Sequence, residues 1–249
     1  MSAIKSNNLV APIAPLNVTK DNGYSAETGA YGHFDFASRG FNTLAGSATL
    51  TPKDPNFLFK NGELRQVAKN DFTILSDLND DTDISYAVVF KVYSSNTFGE
   101  YIGLFGNSLY GQPNGAFGGT FLGIKNSAGV NQLAMRTGAY NPNVTLCDLA
   151  TNTAYFAFVQ RETSTKKFAI KIIRMTDDTV MHSTAPTVYN ANPLPSGYYH
   201  GIGKNSYVAI NATTDFGMSE LLLWKSLQYA NVDAIYQRAK TRAKIKGYI

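Results

Sequence analysis

The feature that most constrains this chain is its rhythm. Runs of β-branched and aromatic residues recur about every 8–14 residues, each closed by Gly, Asn or Asp, which is the punctuation of an all-β sandwich. The clearest instance is Asn56–Lys60, then Asn61-Gly62, then Glu63–Ala68. An Asn-Gly pair supplies the two positive φ angles of a type I′ turn, so this reads as a hairpin. Asn22-Gly23 and Asn114-Gly115 give the same signal. Further strands are expected at 71–75, 84–93, 100–106, 119–124, 132–137, 154–161, 167–175, 180–183, 198–203, 207–211 and 217–224. Ile84–Tyr93, dense in Val, Tyr and Phe, reads as a central strand.

One helix is expected, at about 231–246. Asn231 stands at its N-cap position, and Val232, Ile235, Tyr236, Ala239 and Ala243 share one face at helical spacing. The order of elements predicts a single domain over 21–249. It is preceded by an extended arm at 1–20, where Pro12 and Pro15 each remove a ladder donor. The arm is expected to pair with a neighbouring subunit or a particle partner. A hydrophobic share of 44% with 16% charged residues excludes a disordered chain. No apolar run is long enough to insert in a membrane. Much of the +4 net charge lies in Arg238, Lys240, Arg242, Lys244 and Lys246, a weak basis for nucleic-acid binding. Cys147, the one cysteine, reads as a buried thiol beside Leu146 and Leu149. The N-terminal twenty residues lack the apolar core of a secretory signal, so synthesis in a cytoplasm without export by that route is expected.

The C-terminal third carries the most specific pattern. Tyr199-His200-Gly201-Ile202-Gly203, then Phe216–Trp224, Leu227 and Val232–Tyr236 resemble the closing strands and helix of concanavalin-A-like lectin/glucanase sandwiches of the laminin-G-like type. Tyr86–Tyr93, Tyr155–Gln160 and Phe168–Arg174 resemble their paired central strands, so the resemblance covers about 70–249. It implies an all-β, concanavalin-A-like jelly-roll β-sandwich with one short C-terminal helix. That family includes lectins, glycan hydrolases and lyases, adhesion domains and phage tail or capsid modules, and fold does not choose among them. Trp224, on an apolar strand, reads as core rather than ligand platform.

Glycan hydrolysis needs two carboxyls about 5–10 Å apart. The Glu-x-Asp-x-x-Glu strand of the family's glucanases is absent, because Glu27, Glu63, Glu100, Glu162 and Glu220 are followed two residues on by Gly29, Arg65, Ile102, Ser164 and Leu222. Arg161-Glu162-Thr163-Ser164 lacks the second arginine and the order of the family's lyase strand. Gly-x-Ser-x-Gly and phosphate-binding glycine loops are missing as well. The expectation is therefore a protein that is not an enzyme. The acidic stretch Asp77–Asp83 begins like a calcium loop, but Thr82 and Val88 stand where Gly and Glu are required, so it reads as a solvated turn and no cofactor is expected.

Three loops are rich in Tyr, Asn and Gly and poor in charge: 106–119, 137–143 and 189–200. Tyrosine rings stack on the apolar faces of sugars, amides pair with hydroxyls and glycine allows close approach. The candidate ligand residues are Tyr110, Asn114, Tyr140, Asn141, Tyr198 and Tyr199. The functional expectation is a lectin-like module of a phage or prophage virion binding host surface polysaccharide, with other virion proteins or further copies of itself as partners. A purely structural virion protein and a cryptic polysaccharide lyase or glycoside hydrolase are the alternatives.

Overall fold

A computed structural model of the 249-residue chain describes residues 26–53, 57–65, 73–94, 101–107, 119–137, 144–188, 197–203 and 215–249. The strands in chain order are β1 (Gly32–Asp35), β2 (Thr43–Gly46), β3 (Leu50–Pro52), β4 (Leu58–Lys60), β5 (Glu63–Arg65), β6 (Thr73–Ser76), β7 (Ile84–Ser94) and β8 (Tyr101–Gly106). They continue with β9 (Thr120–Ser127), β10 (Val130–Thr137), β11 (Val144–Leu149), β12 (Ala154–Glu162), β13 (Lys167–Arg174), β14 (Thr179–Val188), β15 (Gly201–Gly203) and β16 (Asp215–Trp224). A 3-10 turn at Tyr229–Asn231 leads into the helix α1 (Val232–Ile245).

The strands form two antiparallel sheets. One runs β14-β13-β12-β7-β16-β1-β2, with the β4–β5 hairpin also paired to β16; the other runs β11-β10-β9-β8-β15-β6-β3. Alternation explains the layers. In β7, Ile84, Tyr86, Val88, Phe90 and Val92 enter the core between the sheets, while Ala87 and Val89 face the other way, toward α1. β12 repeats this, with Tyr155, Ala157 and Val159 inward and Phe156 and Phe158 toward the helix. Strands covered on both faces read as near-continuous apolar runs, which is why they stood out in sequence.

The helix lies on the outer face of the larger sheet. Val232, Ile235, Tyr236, Ala239 and Ala243 pack on Phe156, Phe158, Leu222 and Trp224. Trp224 is 2% exposed and belongs to this layer, as expected of a core residue. Full burial of a side chain such as Ile235 stabilises by about 2 kcal/mol. Beyond the helix, Gly247 at φ 67° turns the chain back. Gly247 N–H donates to Lys244 O and Tyr248 N–H to Ala243 O, a glycine C-cap that seats Tyr248 against the sheet. The Tyr248 hydroxyl then donates to Gly217 O.

Several sequence expectations change. Strands β1, β2, β3 and β11 were not foreseen; the first three have three or four residues each, and β11 carries Asp148 near its end. The strand expected at 180–183 extends over the whole of Thr179–Val188. Asn231 does not cap the helix through its side chain; its amide donates to Gln228 Oε1 instead, because the 3-10 turn precedes it. The Asn61-Gly62 turn is as expected, with φ of 53° and 76°. The arm at 1–20, Asn22-Gly23, Asn114-Gly115 and the strand expected at 207–211 lie outside the described residues.

Candidate functional site

Register brings the strand ends that lead into the three tyrosine-rich stretches to one end of the seven-stranded sheet. Gly201 pairs with Gly106, Gly106 with Phe121, and Thr120 with Thr137. The strand ends that carry 107–119, 138–143 and 197–200 are therefore neighbours across β15, β8, β9 and β10. Of the candidate ligand residues, Tyr198 and Tyr199 stand at this rim. Tyr198 is half-buried and Tyr199 is 38% exposed, one of the few large hydrophobic side chains among the described residues that is offered to solvent. Tyr110, Asn114, Tyr140 and Asn141 lie outside the described residues.

Asn107 ties the rim together. Its N–H donates to Thr120 O at 2.7 Å, its Oδ1 accepts from Thr120 N–H at 3.1 Å, and its Nδ2 donates to Tyr198 O at 3.3 Å. A fully buried amide with these partners fixes where Tyr198 sits relative to the root of the 107–119 loop.

The chain after Tyr199 is clamped from below. His200 N–H donates to Leu78 O, and His200 O accepts from Ser76 N–H at 2.8 Å and Ser76 Oγ at 2.7 Å. The imidazole is fully buried, stacks on Phe105 with ring centroids 5.6 Å apart, and places Nε2 2.9 Å from Asp80 Oδ1. Arg161, whose side chain enters the sandwich from β12, forms an ion pair with the same Asp80 oxygen. Burial alone would raise the Asp80 pKa, but His200 and Arg161 hold the carboxyl well below the usual carboxylate range.

This corrects the reading of Asp77–Asp83 as solvated. Asp80 is 2% exposed. Asp77 accepts from the Tyr31 hydroxyl at 2.5 Å and from Thr49 N–H at 3.0 Å, and Asp83 accepts from Thr163 N–H at 2.8 Å. Only Asp81 and Thr82 of the stretch are exposed. The turn points inward because Arg161 and His200, distant in sequence, supply partners at that spot. Among the described residues, no group of three His, Cys, Asp or Glu could hold a metal ion.

Three further buried acids sit beneath α1. Glu27, Asp35 and Glu220 are each at most 1% exposed. The helix meets them with Arg238, Arg242 and Lys246, spaced four residues apart. Arg242 Nε lies 2.9 and 3.1 Å from the two Glu220 oxygens, and its Nη1 lies 3.1 Å from Glu27. Lys246 Nζ reaches Asp35 at 3.0 Å, and Arg238 pairs with Glu27. Burial would raise the Glu220 pKa, and the Arg242 and Lys246 charges bring it below its ordinary value. His33 lies within this layer, its Nδ1 accepting from Glu27 N–H at 2.9 Å, and burial pushes its pKa down to about 4. Of the basic C-terminal residues, Arg242 and Lys246 are thus matched inside the protein, and Arg238 is matched from the surface.

A third cluster joins Glu63, Arg65, Tyr93 and Asp215. The Tyr93 hydroxyl is 2.7 Å from both Glu63 oxygens, and Arg65 grips Asp215 through Nε at 3.2 Å and Nη2 at 2.6 Å while covering the Tyr93 ring at 3.7 Å. Each of these carboxylates is held by a cation or a hydroxyl. Cys147 is half-buried against the core, and burial pushes its thiol up to about 12, which leaves little thiolate at neutral pH.

Sequence reasoning missed Asn107, His200, Asp80 and Arg161. A signal for Asn107 was its place directly after the glycine that ends a strand. For the others the partners are too far apart in sequence to signal anything.

No protein-family model and no curated protein matches the chain. Solved structures do resemble it. Trypanosoma rangeli sialidase in complex with sialic acid is similar at a TM-score of 0.57 and 11% identity, over 85% of this chain and 33% of the sialidase. The same sialidase in complex with 2,3-difluoro-KDN gives 0.55 and 13%, over 91% and 35%. The exoplasmic/lumenal domain of VIP36, in its calcium- and mannose-bound form, gives 0.49 and 10%, over 79% and 91%. The chain spans about a third of the sialidase, and at these identities the likeness is one of fold. The chain folds as an antiparallel two-sheet β-sandwich closed by one C-terminal helix, a fold it shares with the part of the sialidase that it covers.

Proposed function

We propose that this protein is a non-catalytic, lectin-like module that recognises a surface glycan at the rim built by Asn107, Tyr198 and Tyr199. The observation that carries the reading is the convergence of three strand ends at one rim. Each leads into a stretch rich in Tyr, Asn and Gly. Tyr199 offers an aromatic face to solvent, and the clamp on Asn107 and His200 holds its backbone in place before any ligand arrives. Preorganisation of this kind lowers the entropic cost of binding. Tyr110, Asn114, Tyr140 and Asn141 complete the surface in this reading.

A role without catalysis is supported by the state of the described buried acids. Those beneath the helix and in the Glu63 cluster are matched by Arg, Lys or Tyr, and Asp80 is matched by His200 and Arg161. A general acid or nucleophile needs a carboxyl that can reach substrate. The setting proposed is a phage or prophage virion, made in the host cytoplasm, with the 1–20 arm engaging a neighbouring particle component. Binding per site is expected near millimolar, about −4 kcal/mol, with many copies on one particle supplying avidity.

The test is titration of purified protein against host surface polysaccharide, with and without chelator, for wild type, Tyr199→Ala and Asn107→Ala. Both variants should bind at least several-fold more weakly, and the chelator should change nothing. Unchanged affinity in both variants overturns the site. Absence of any glycan binding at millimolar concentration favours a structural virion role, and release of sugar products identifies an enzyme.

A further inference from the structure

Beneath the C-terminal end of α1, a lysine and two carboxylates meet in a place sealed from water. Asp35 ends β1, Glu220 lies on β16, and the two stand directly opposite each other in register. Like charges facing each other across a strand pair destabilise a sheet, so this pairing needs a cation beside it. Lys246, at the C-cap of α1, supplies one: its Nζ lies 3.0 Å from Asp35 Oδ1 and 3.5 Å from Glu220 Oε2. The lysine side chain is 7% exposed, the aspartate 0% and the glutamate 2%. Among the described residues, the other lysine–aspartate pairs, Lys171 with Asp233 and Lys240 with Asp178, leave the aspartate at the surface.

The two oxygens of Asp35 differ. Oδ1 accepts from Ala37 N–H at 3.0 Å and faces Lys246, whereas Oδ2 is buried with no hydrogen-bond partner among the described residues. The carboxyl carbon is one bond beyond the atom that Nζ meets, and its residue is fixed by a turn in which Ser38 N–H and Arg39 N–H donate to Asp35 O. Two groups held this way react as if at very high concentration, and a dry site removes the water that keeps amines and carboxylic acids from condensing in solution. Keeping the pair as ions in such a layer costs desolvation, and an amide carries no charge. Burial works to raise the Glu220 pKa and the Arg242 and Lys246 charges outweigh it, so Glu220 is ionised and able to take a proton.

We propose that Lys246 and Asp35 condense into an intramolecular amide, with Glu220 as general base, so that the end of β1 is tied covalently to the end of α1. Lys246 Nζ gives one proton to Asp35, leaving a neutral amine and a neutral carboxyl. The amine attacks Asp35 Cγ, a nitrogen–carbon bond forms, and Glu220 takes a second proton from the nitrogen. The Cγ–Oδ2 bond then breaks, and that oxygen leaves as water with both protons, the second returned by Glu220. Oδ1 remains as the amide carbonyl, still accepting from Ala37 N–H. Nothing is oxidised or reduced, and no outside reactant is needed. This inference does not depend on the glycan reading.

The experiment is intact-mass spectrometry of the full chain, unfolded after purification, followed by tryptic peptide mapping. Wild type should weigh less than its sequence by one water. The map should hold a branched peptide joining Asp35 to Lys246, with no cleavage after Lys246. Lys246→Arg keeps a cation beside Asp35 but cannot form this bond, and it should show full mass. Glu220→Gln should fold, as judged by Trp224 emission and thermal melts, yet link about a hundredfold or more slowly. A folded wild type that keeps full mass after prolonged incubation overturns the proposal, whatever the variants do. Loss of water mapped to another residue, such as a cyclised aspartate, overturns it equally. A link that forms as fast in Glu220→Gln as in wild type overturns the role given to Glu220.

Discussion

Replacing Arg242 with Met tests how the helix is held. The guanidinium makes four contacts of 3.1 Å or less to Glu220 and Glu27, both buried under α1. Methionine keeps most of the apolar stem and leaves two carboxylates in a layer sealed from water. Arg238 and Lys246 still face them, but Lys246 lies 3.5 Å from Glu220 and Arg238 is half exposed. Removing one partner of a buried pair costs about 3–5 kcal/mol, because the stranded charge has lost solvation and partner together. Trp224 is the chain's one tryptophan and lies beneath the helix, so its fluorescence reports directly on this layer. Urea unfolding followed by Trp224 emission should show that loss with an unchanged m-value. Adding Glu220→Met to Arg242→Met should recover part of it, giving a coupling of about 1.5–3 kcal/mol in the double-mutant cycle. A loss below about 1 kcal/mol for the single variant would falsify the picture of a dry, ion-locked helix.

Three further outcomes are expected. Ile235→Ala should cost about 2–5 kcal/mol in the same assay, since Ile235 is 1% exposed against the outer face of the sheet; a cost under 0.5 kcal/mol would mean a detached helix. Stability should fall on acidification from about pH 6.5 toward pH 4. There the unfolded chain protonates His33 while the folded chain, with its pKa at about 4, does not; the loss approaches about 3 kcal/mol. Asp80 and Glu220, whose pKa values are lowered on folding, add to the loss below about pH 4.5, and a His33→Phe variant should flatten the upper part of the profile alone. Tyr199→Ala should leave the melting temperature within about 2 °C of wild type while weakening glycan binding, because an exposed rim residue contributes little to folding. A large drop in melting temperature would make Tyr199 structural.

Much of the architecture is written locally. Ile84–Ser94 and Ala154–Glu162 are strands because β-branched and aromatic residues fill both faces of a pleat, and a pleat has a period of two. Asn61-Gly62 turns because those two residues tolerate positive φ, and the apolar stripe from Val232 to Ala243 is helical and buried because its spacing follows the helical turn. Neighbouring residues determine all of this, so it can be read from a window of a dozen positions. The partners of the polar groups cannot. Asp80 and His200 are 120 residues apart, Glu27 and Arg242 are 215, and Asn107 and Tyr198 are 91. Asp80 read as solvated and the C-terminal arginines only as excess positive charge, because a charge by itself gives no sign of the opposite charge that will meet it. Register and sheet order decide that, along with which loops share a rim, and both are settled by packing the two sheets rather than by any local run of residues.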